Sequence, residues 1–329
     1  MTAFTQQASE SEPQLRESQL IERFLAGGDQ ADLPIIDAHH HFWDLAHNYH
    51  PWLRDQPPIA FRYGDYSAIC HDFLPADYRR EMGAHRVVKT VMMEGEWDPK
   101  DPLGEARWAS RLTAAQGWPN AMAGQIWLDR EDVADVLSAY ADLPLVRSAR
   151  HKPRALAREA YRSDFDAPGS MRCQRWRDGY ARLADAGLMF ELQAPWWHFK
   201  EAEELAVDFP SVTIVVNHTG LPVDRSEAGL HAWGKALRGL ADHANVVLKI
   251  SGLGEKGLAW TAARHRRVVL DAISIFGVDR CMFASNFPVD GVVKRLDTIF
   301  AGFKEIVASL PAQDQLNLFY RSAEKTYRL

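Results

Sequence analysis

Cysteine is scarce in this sequence: Cys70, Cys173 and Cys281 are its three cysteines among 329 residues, far apart and without CxxC spacing. That excludes a disulfide framework and a zinc ribbon, and it fits a reducing, cytoplasmic setting. Long apolar runs are also missing. VVKTVMM and VTIVV are too short to cross a bilayer and are bounded by charged or polar groups, so no membrane partner is expected. Basic charge is in deficit, with 38 Lys and Arg against 44 Asp and Glu for a formal net charge of -6, which gives no field to attract nucleic acid. The opening MTAFTQQASESEPQLRES lacks the basic start and apolar stretch of a secretory signal. Internal repeats and low-complexity tracts are absent as well. What remains is a soluble chain whose partner is a small molecule, with homo-oligomerisation left open.

Hydrophobic residues make up 47% of the chain and charged residues 25%, ordinary globular usage with ample apolar surface for one large core. Residues 1–33 read as a polar tail and a short helix near Leu15 to Leu25. From 34 to 329, eight short β-branched or apolar runs alternate with amphipathic stretches. The runs are Ile35 to His41, Val87 to Met93, Ala123 to Leu128, Leu145 to Arg150, Leu188 to Leu192, Val212 to Asn217, Val246 to Ile250 and Cys281 to Ala284. Helical periodicity fills Leu103 to Gln116, Arg172 to Ala186 and Trp260 to Phe276. Such βαβ alternation demands a parallel sheet, and eight units make an α/β fold of the (β/α)8 TIM-barrel type. Long connections, Phe42 to about Ala84 and Arg154 to Ser170, follow strands; in such a barrel, loops leaving strand C-termini build and cover the active site.

The sharpest local signal is Ile35-Ile36-Asp37-Ala38-His39-His40-His41-Phe42-Trp43. Strand alternation projects His39 and His41 together and turns His40 away. Two imidazoles at a barrel mouth can hold a metal, polarise a carbonyl or orient a water; a histidine-rich surface turn is the bland alternative.

The segments IDAHHHFWD, VVNHTGLP and CMFASNFPVD, in that order and spacing, resemble the amidohydrolase 2 family of the amidohydrolase superfamily, and within it the lactonases of sugar lactones and pyrone dicarboxylates. The resemblance runs from about Ile35 to the C-terminus. It implies a distorted TIM barrel that hydrolyses a small cyclic ester at the strand ends. It also implies that His218, at the turn after the sixth strand, serves as a metal ligand or as the group meeting the carbonyl and water. Relatives commonly carry an aspartate where Asn286 stands, and there it takes a proton from the attacking water. An amide does not titrate, so the base must be another group. His218 is the first choice, with Glu94, Glu96 and Asp290 in reserve. Zinc or manganese on His39, His41 and His218 is the candidate cofactor. Metal-independent catalysis is the alternative, because a catalytic zinc site needs three secure protein ligands. The fifth strand offers Glu191, Leu192 and Gln193 where many superfamily members supply a histidine, and His198 comes later.

Arg150 ends the fourth strand. A guanidinium there suits a substrate carboxylate, while the neighbouring His151, Lys152 and Arg154 read equally as a solvated charge run. Glu94 and Glu96 after the second strand, Lys249 and Ser251 at the end of the seventh, and Trp43 after the first complete the candidate substrate-binding set. Trp52, Trp97, Trp196 and Trp197 offer further flat surfaces. The expected reaction opens a small carboxylated lactone, sugar- or aromatic-derived. In it His39 and His41 polarise the carbonyl, Asn286 orients the water and His218 takes the proton. A metal-dependent decarboxylase and a lactone isomerase are the alternatives on the same fold.

Overall fold

The computed structural model describes residues 16–329; the N-terminal tail up to Leu15 lies outside the described residues. Eight strands form one parallel sheet in sequential order: β1 (Pro34–His40), β2 (Arg86–Met93), β3 (Ala121–Gln125), β4 (Val146–His151), β5 (Met189–Leu192), β6 (Ile214–Val216), β7 (Val246–Ile250) and β8 (Cys281–Phe283). Helices alternate with them, so the expected (β/α)8 barrel is present. Every predicted run overlaps its strand, and the fifth to eighth enclose theirs. The third is the least exact: its strand begins two residues earlier, at Ala121, and Ile126, Trp127 and Leu128 leave the ladder after Gln125.

Closure comes from the segment after β8. The Asn286 amide donates to the His39 carbonyl at 2.7 Å, and the His41 amide to the Phe287 carbonyl at 2.8 Å. Asp37 reinforces the seam, its carboxylate accepting from the Ser285 amide at 2.9 Å and from the Tyr78 hydroxyl at 2.6 Å. The hydroxyl of Ser285 also donates to Asp37.

The outer helices follow apolar spacing. In Gln174–Asp185, Trp176, Gly179, Tyr180 and Leu183 are buried at i, i+3, i+4 and i+7. Gly179 is obligatory there, since a Cβ would fall 1.8 Å from the Leu128 carbonyl oxygen. Ser226 and Thr261 cap the helices Glu227–Ala241 and Ala262–Phe276, each side chain accepting a hydrogen bond from an amide of the first turn. The short N-terminal helix is Glu17–Gly27 and buries Leu20 and Phe24. Among the described residues no helix is long and apolar enough to cross a membrane.

The connection from β1 to β2 is an ordered cover. It is pinched at its base by reciprocal amide bonds between Trp43 and Phe73 (3.0 and 2.9 Å). Inside, Trp52, Phe61 and Tyr66 pack with ring centroids 5.0 to 5.9 Å apart. This cluster holds the loop over the C-terminal mouth of the barrel.

Candidate active site

At that mouth lies a cavity of about 240 Å³ whose walls include His41, Arg62, Glu94, Arg150, His218 and Asn286. Arg62 comes from the covering loop, Arg150 lies near the end of the ladder on β4, and the others follow the C-terminal end of a strand, the place where barrels of this type carry chemistry.

Alternation on β1 places the histidines as expected. The His39 ring lies 5.3 Å from that of His41 and 4.5 Å from that of His218, while His40 packs away against Phe42 and Tyr78. A register shift between Asp37 and His40 lets Asp37 reach Tyr78 as well. His39 lies beneath the cavity wall, fully buried, with neither ring nitrogen hydrogen-bonded among the described residues. His41 Nδ1 lies 3.1 Å from the Met93 carbonyl oxygen. A carbonyl only accepts, so Nδ1 carries the proton and Nε2 presents a lone pair. His218 Nδ1 meets Ser251 Oγ at 3.1 Å, and His218 itself sits at φ 53°. Burial is the largest influence lowering the pKa of all three imidazoles, followed by His218 for His39, Arg150 for His41 and Arg62 for His218; all are neutral at pH 7.

Asn286, also left-handed at φ 54°, donates through Nδ2 to Asp290 Oδ1 at 2.6 Å, and its own Oδ1 has no partner among the described residues. The same Asp290 oxygen accepts from the Tyr63 hydroxyl at 2.8 Å and from Arg62 at 3.3 Å. Burial raises the Asp290 pKa against these donors.

Arg150 is already engaged. Its Nε pairs with Glu94, Nη2 donates to the Glu94 carbonyl at 2.7 Å and Nη1 to Gln193 at 3.3 Å. The turn after β2 is fixed from three sides. The Gly95 amide donates to Glu105 at 2.8 Å, and its carbonyl accepts from His50 and Trp52, both at 2.9 Å. Glu94 is therefore buried with Arg150, whereas Glu96, at φ 57°, turns out to pair with Lys152.

Three of the anticipated substrate-binding side chains, Lys249, Ser251 and Trp43, do not line this cavity, and Ser251 acts on it only through His218. Lys249 is fully buried deeper in the barrel, 2.8 Å from Glu191, and burial brings its pKa down to about 8. Trp43 is fully buried, its indole donating to the His71 carbonyl at 2.8 Å; Trp52 faces the cavity instead. Arg62 and Gln193 were not singled out as contacts. Arg62 lies in a loop whose path no local pattern dictates.

The donors fall short of a metal centre. His39 has two free buried nitrogens and His41 is oriented by a carbonyl as ligating histidines are. Yet among the described residues no three His, Cys, Asp or Glu side chains are grouped to hold an ion, and Asn286 brings an amide rather than a carboxylate to the cavity.

Fold and cavity together define a TIM-barrel enzyme with its active site at the strand C-termini. An amidohydrolase family profile matches residues 36–329, and the chain belongs to that family; it is a hydrolase. It is 38% identical to the protein y4mH of Sinorhizobium fredii, over 91% of this chain and all of that one. It is 26% identical to an L-fucono-1,5-lactonase of Burkholderia multivorans, over 89% of this chain and 96% of that protein. Among solved structures, an amidohydrolase from Burkholderia multivorans, crystallised with bound zinc, superposes with a TM-score of 0.74 at 21% identity, covering 90% of this chain and 99% of that one.

Proposed function

We propose that the cavity opens a small lactone, sugar- or aromatic-derived, by water attack on the ester carbonyl. The observation that carries this reading is the convergence of His41 and His218, both neutral, on one small cavity beside the guanidinium groups of Arg62 and Arg150. Neutral imidazole at pH 7 is a base in its working form. His218 takes a proton from water through Nε2 while Ser251 accepts from Nδ1. His41 receives the part of acceptor, not the carbonyl-polarising part expected from the sequence, because its only proton is held on the Met93 carbonyl. It accepts the water's second hydrogen. Asn286 Oδ1 shares that second hydrogen with His41 in a three-centre bond, and the shared contact orients the water. Negative charge developing on the carbonyl oxygen falls to the second N–H of Arg150 Nη1, a donor held in place by Glu94 and Gln193 and of the kind that lowers such barriers most.

A substrate carboxylate is assigned to Arg62. One Arg62 nitrogen contacts Asp290 and the others have no hydrogen-bond partner among the described residues, whereas three of the five N–H groups of Arg150 are held by Glu94 and Gln193, which leaves it no free bidentate edge. The decarboxylase reading leans on a firmly held metal and has no support in the donor set described above.

The test is hydrolysis of a panel of neutral and carboxylated lactones, followed by a pH indicator with and without added zinc or manganese. His218→Ala is expected to lose about 10²-fold or more in kcat, the usual contribution of a positioned base, with its circular dichroism unchanged. A folded, fully active His218→Ala enzyme would remove the proposed base.

A further inference from the structure

Beside the imidazole-lined cavity lies a second space of about 400 Å³. The two share Trp52, Ile59, Glu94, Glu96, Arg150 and Lys152, so they are lobes of one opening. The inner lobe is smaller than the ~300–1,000 Å³ that drug-sized ligands occupy, room for a single small ring; the outer lobe brings the whole into that range.

The outer lobe has its own chemistry. Trp52, Trp97 and Trp127 give it flat indole walls, and Pro99 and Ile126 add apolar surface between them. Its polar wall includes His151 at the end of β4. The Nδ1 atom of His151 lies 3.1 Å from the Leu128 amide and 2.9 Å from the indole nitrogen of Trp176. Both of those groups only donate, so Nδ1 is unprotonated and the ring proton must sit on Nε2. The tautomer is thus fixed by the wall behind it, and the imidazole offers the lobe a donor rather than an acceptor. Burial lowers the pKa of His151 to about 4, which keeps it in this neutral form. Apolar flat faces with one fixed donor are what a ring with an oxygen on its rim requires.

We infer that the outer lobe is a subsite for a second ring carried by the substrate, a glycosyl or aryl substituent whose flat face packs on Trp127 and whose rim oxygen accepts from His151 Nε2. The inference rests on the reading of the inner lobe as a lactone-opening site, and it makes the preferred substrate a two-ring molecule.

Two matched pairs test it: D-glucono-1,5-lactone against cellobiono-1,5-lactone, and δ-valerolactone against its ring-phenylated derivatives. Each is assayed with the wild-type enzyme, Trp127→Ala and Trp127→Phe. For one pair the two-ring lactone is expected to exceed its parent about tenfold in kcat/KM, the scale of one well-packed aromatic contact. That ratio should collapse in Trp127→Ala and return in Trp127→Phe. A preference in the first pair assigns a glycosyl substituent and in the second an aryl one. Ratios near one for both pairs in the wild type, or a preference untouched in Trp127→Ala, overturn the subsite. If no lactone is hydrolysed, the lactonase reading fails, and the subsite is judged separately by calorimetric binding of the ring-opened acids. Tighter binding of cellobionate than gluconate, or of the phenylated hydroxypentanoate than its parent, lost in Trp127→Ala, upholds it; equal binding overturns it.

Discussion

Asn286 illustrates how the role of a single side chain is specified by its neighbours. An amide can present either its oxygen or its nitrogen, and Asp290 decides: the carboxylate accepts from Nδ2 at 2.6 Å, which leaves Oδ1 as the free end. Asp290→Asn would remove that bias, because a neutral amide can meet Asn286 from either side. The expected outcome is a fall in kcat of about tenfold, the equivalent of one buried hydrogen bond to a charged group, with a smaller change in KM. Steady-state kinetics check it, and an unchanged kcat would show that the orientation of Asn286 does not matter. At this scale the sequence was most legible where alternation applies. His39, His41 and the outward His40 follow from the pleat alone. Lys249 projects inward as expected, but depth along the barrel depends on which layer a side chain fills, and there Glu191 claims it. Trp43 was misplaced for a related reason: its indole N–H needs an acceptor, and the one it finds is the His71 carbonyl in the covering loop.

Strands and helices were readable because period and composition suffice for them, and β7 matches its expected run at both ends. The covering loop between β1 and β2 was readable only as a length. Its contribution to the site depends on tertiary contacts, chiefly Arg62 and Tyr63 reaching Asp290 some 230 residues on. Because Asp290 Oδ1 receives both Tyr63 and Asn286, docking of this loop and orientation of Asn286 converge on one atom. Tyr63→Phe removes only the hydroxyl, leaving Arg62 and Asn286 on the carboxylate. The loop should then dock less firmly, and KM should rise about fivefold, corresponding to a net hydrogen bond of about 1 kcal/mol. A Tyr63→Phe enzyme with wild-type KM would separate the loop from substrate binding.

For the molecule as a whole, the buried histidines set the acid limit of stability. Burial lowers His40 to about 3 and His151 and His265 to about 4, and it shifts His39, His41, His50, His85 and His218 in the same direction. A histidine with a depressed folded pKa contributes nothing adverse above its unfolded value near 6.5. Below that value the unfolded chain binds the proton first, so stability is lost as pH falls towards the folded pKa. Asp37, Glu105 and Asp290 act oppositely: burial raises them, so their contribution is full at acid pH and fades as pH rises through their folded values. Eight groups against three leave the histidines dominant just below pH 6.5, each uncompensated one worth about 1.4 kcal/mol per pH unit. Urea unfolding should accordingly give a clearly lower midpoint at pH 5 than at pH 7. Replacing His265, which lies outside the cavity against Trp260, by a neutral residue of similar size should flatten that dependence. A midpoint that holds or rises on acidification would mean that the buried carboxyls, not the imidazoles, govern how this barrel meets acid.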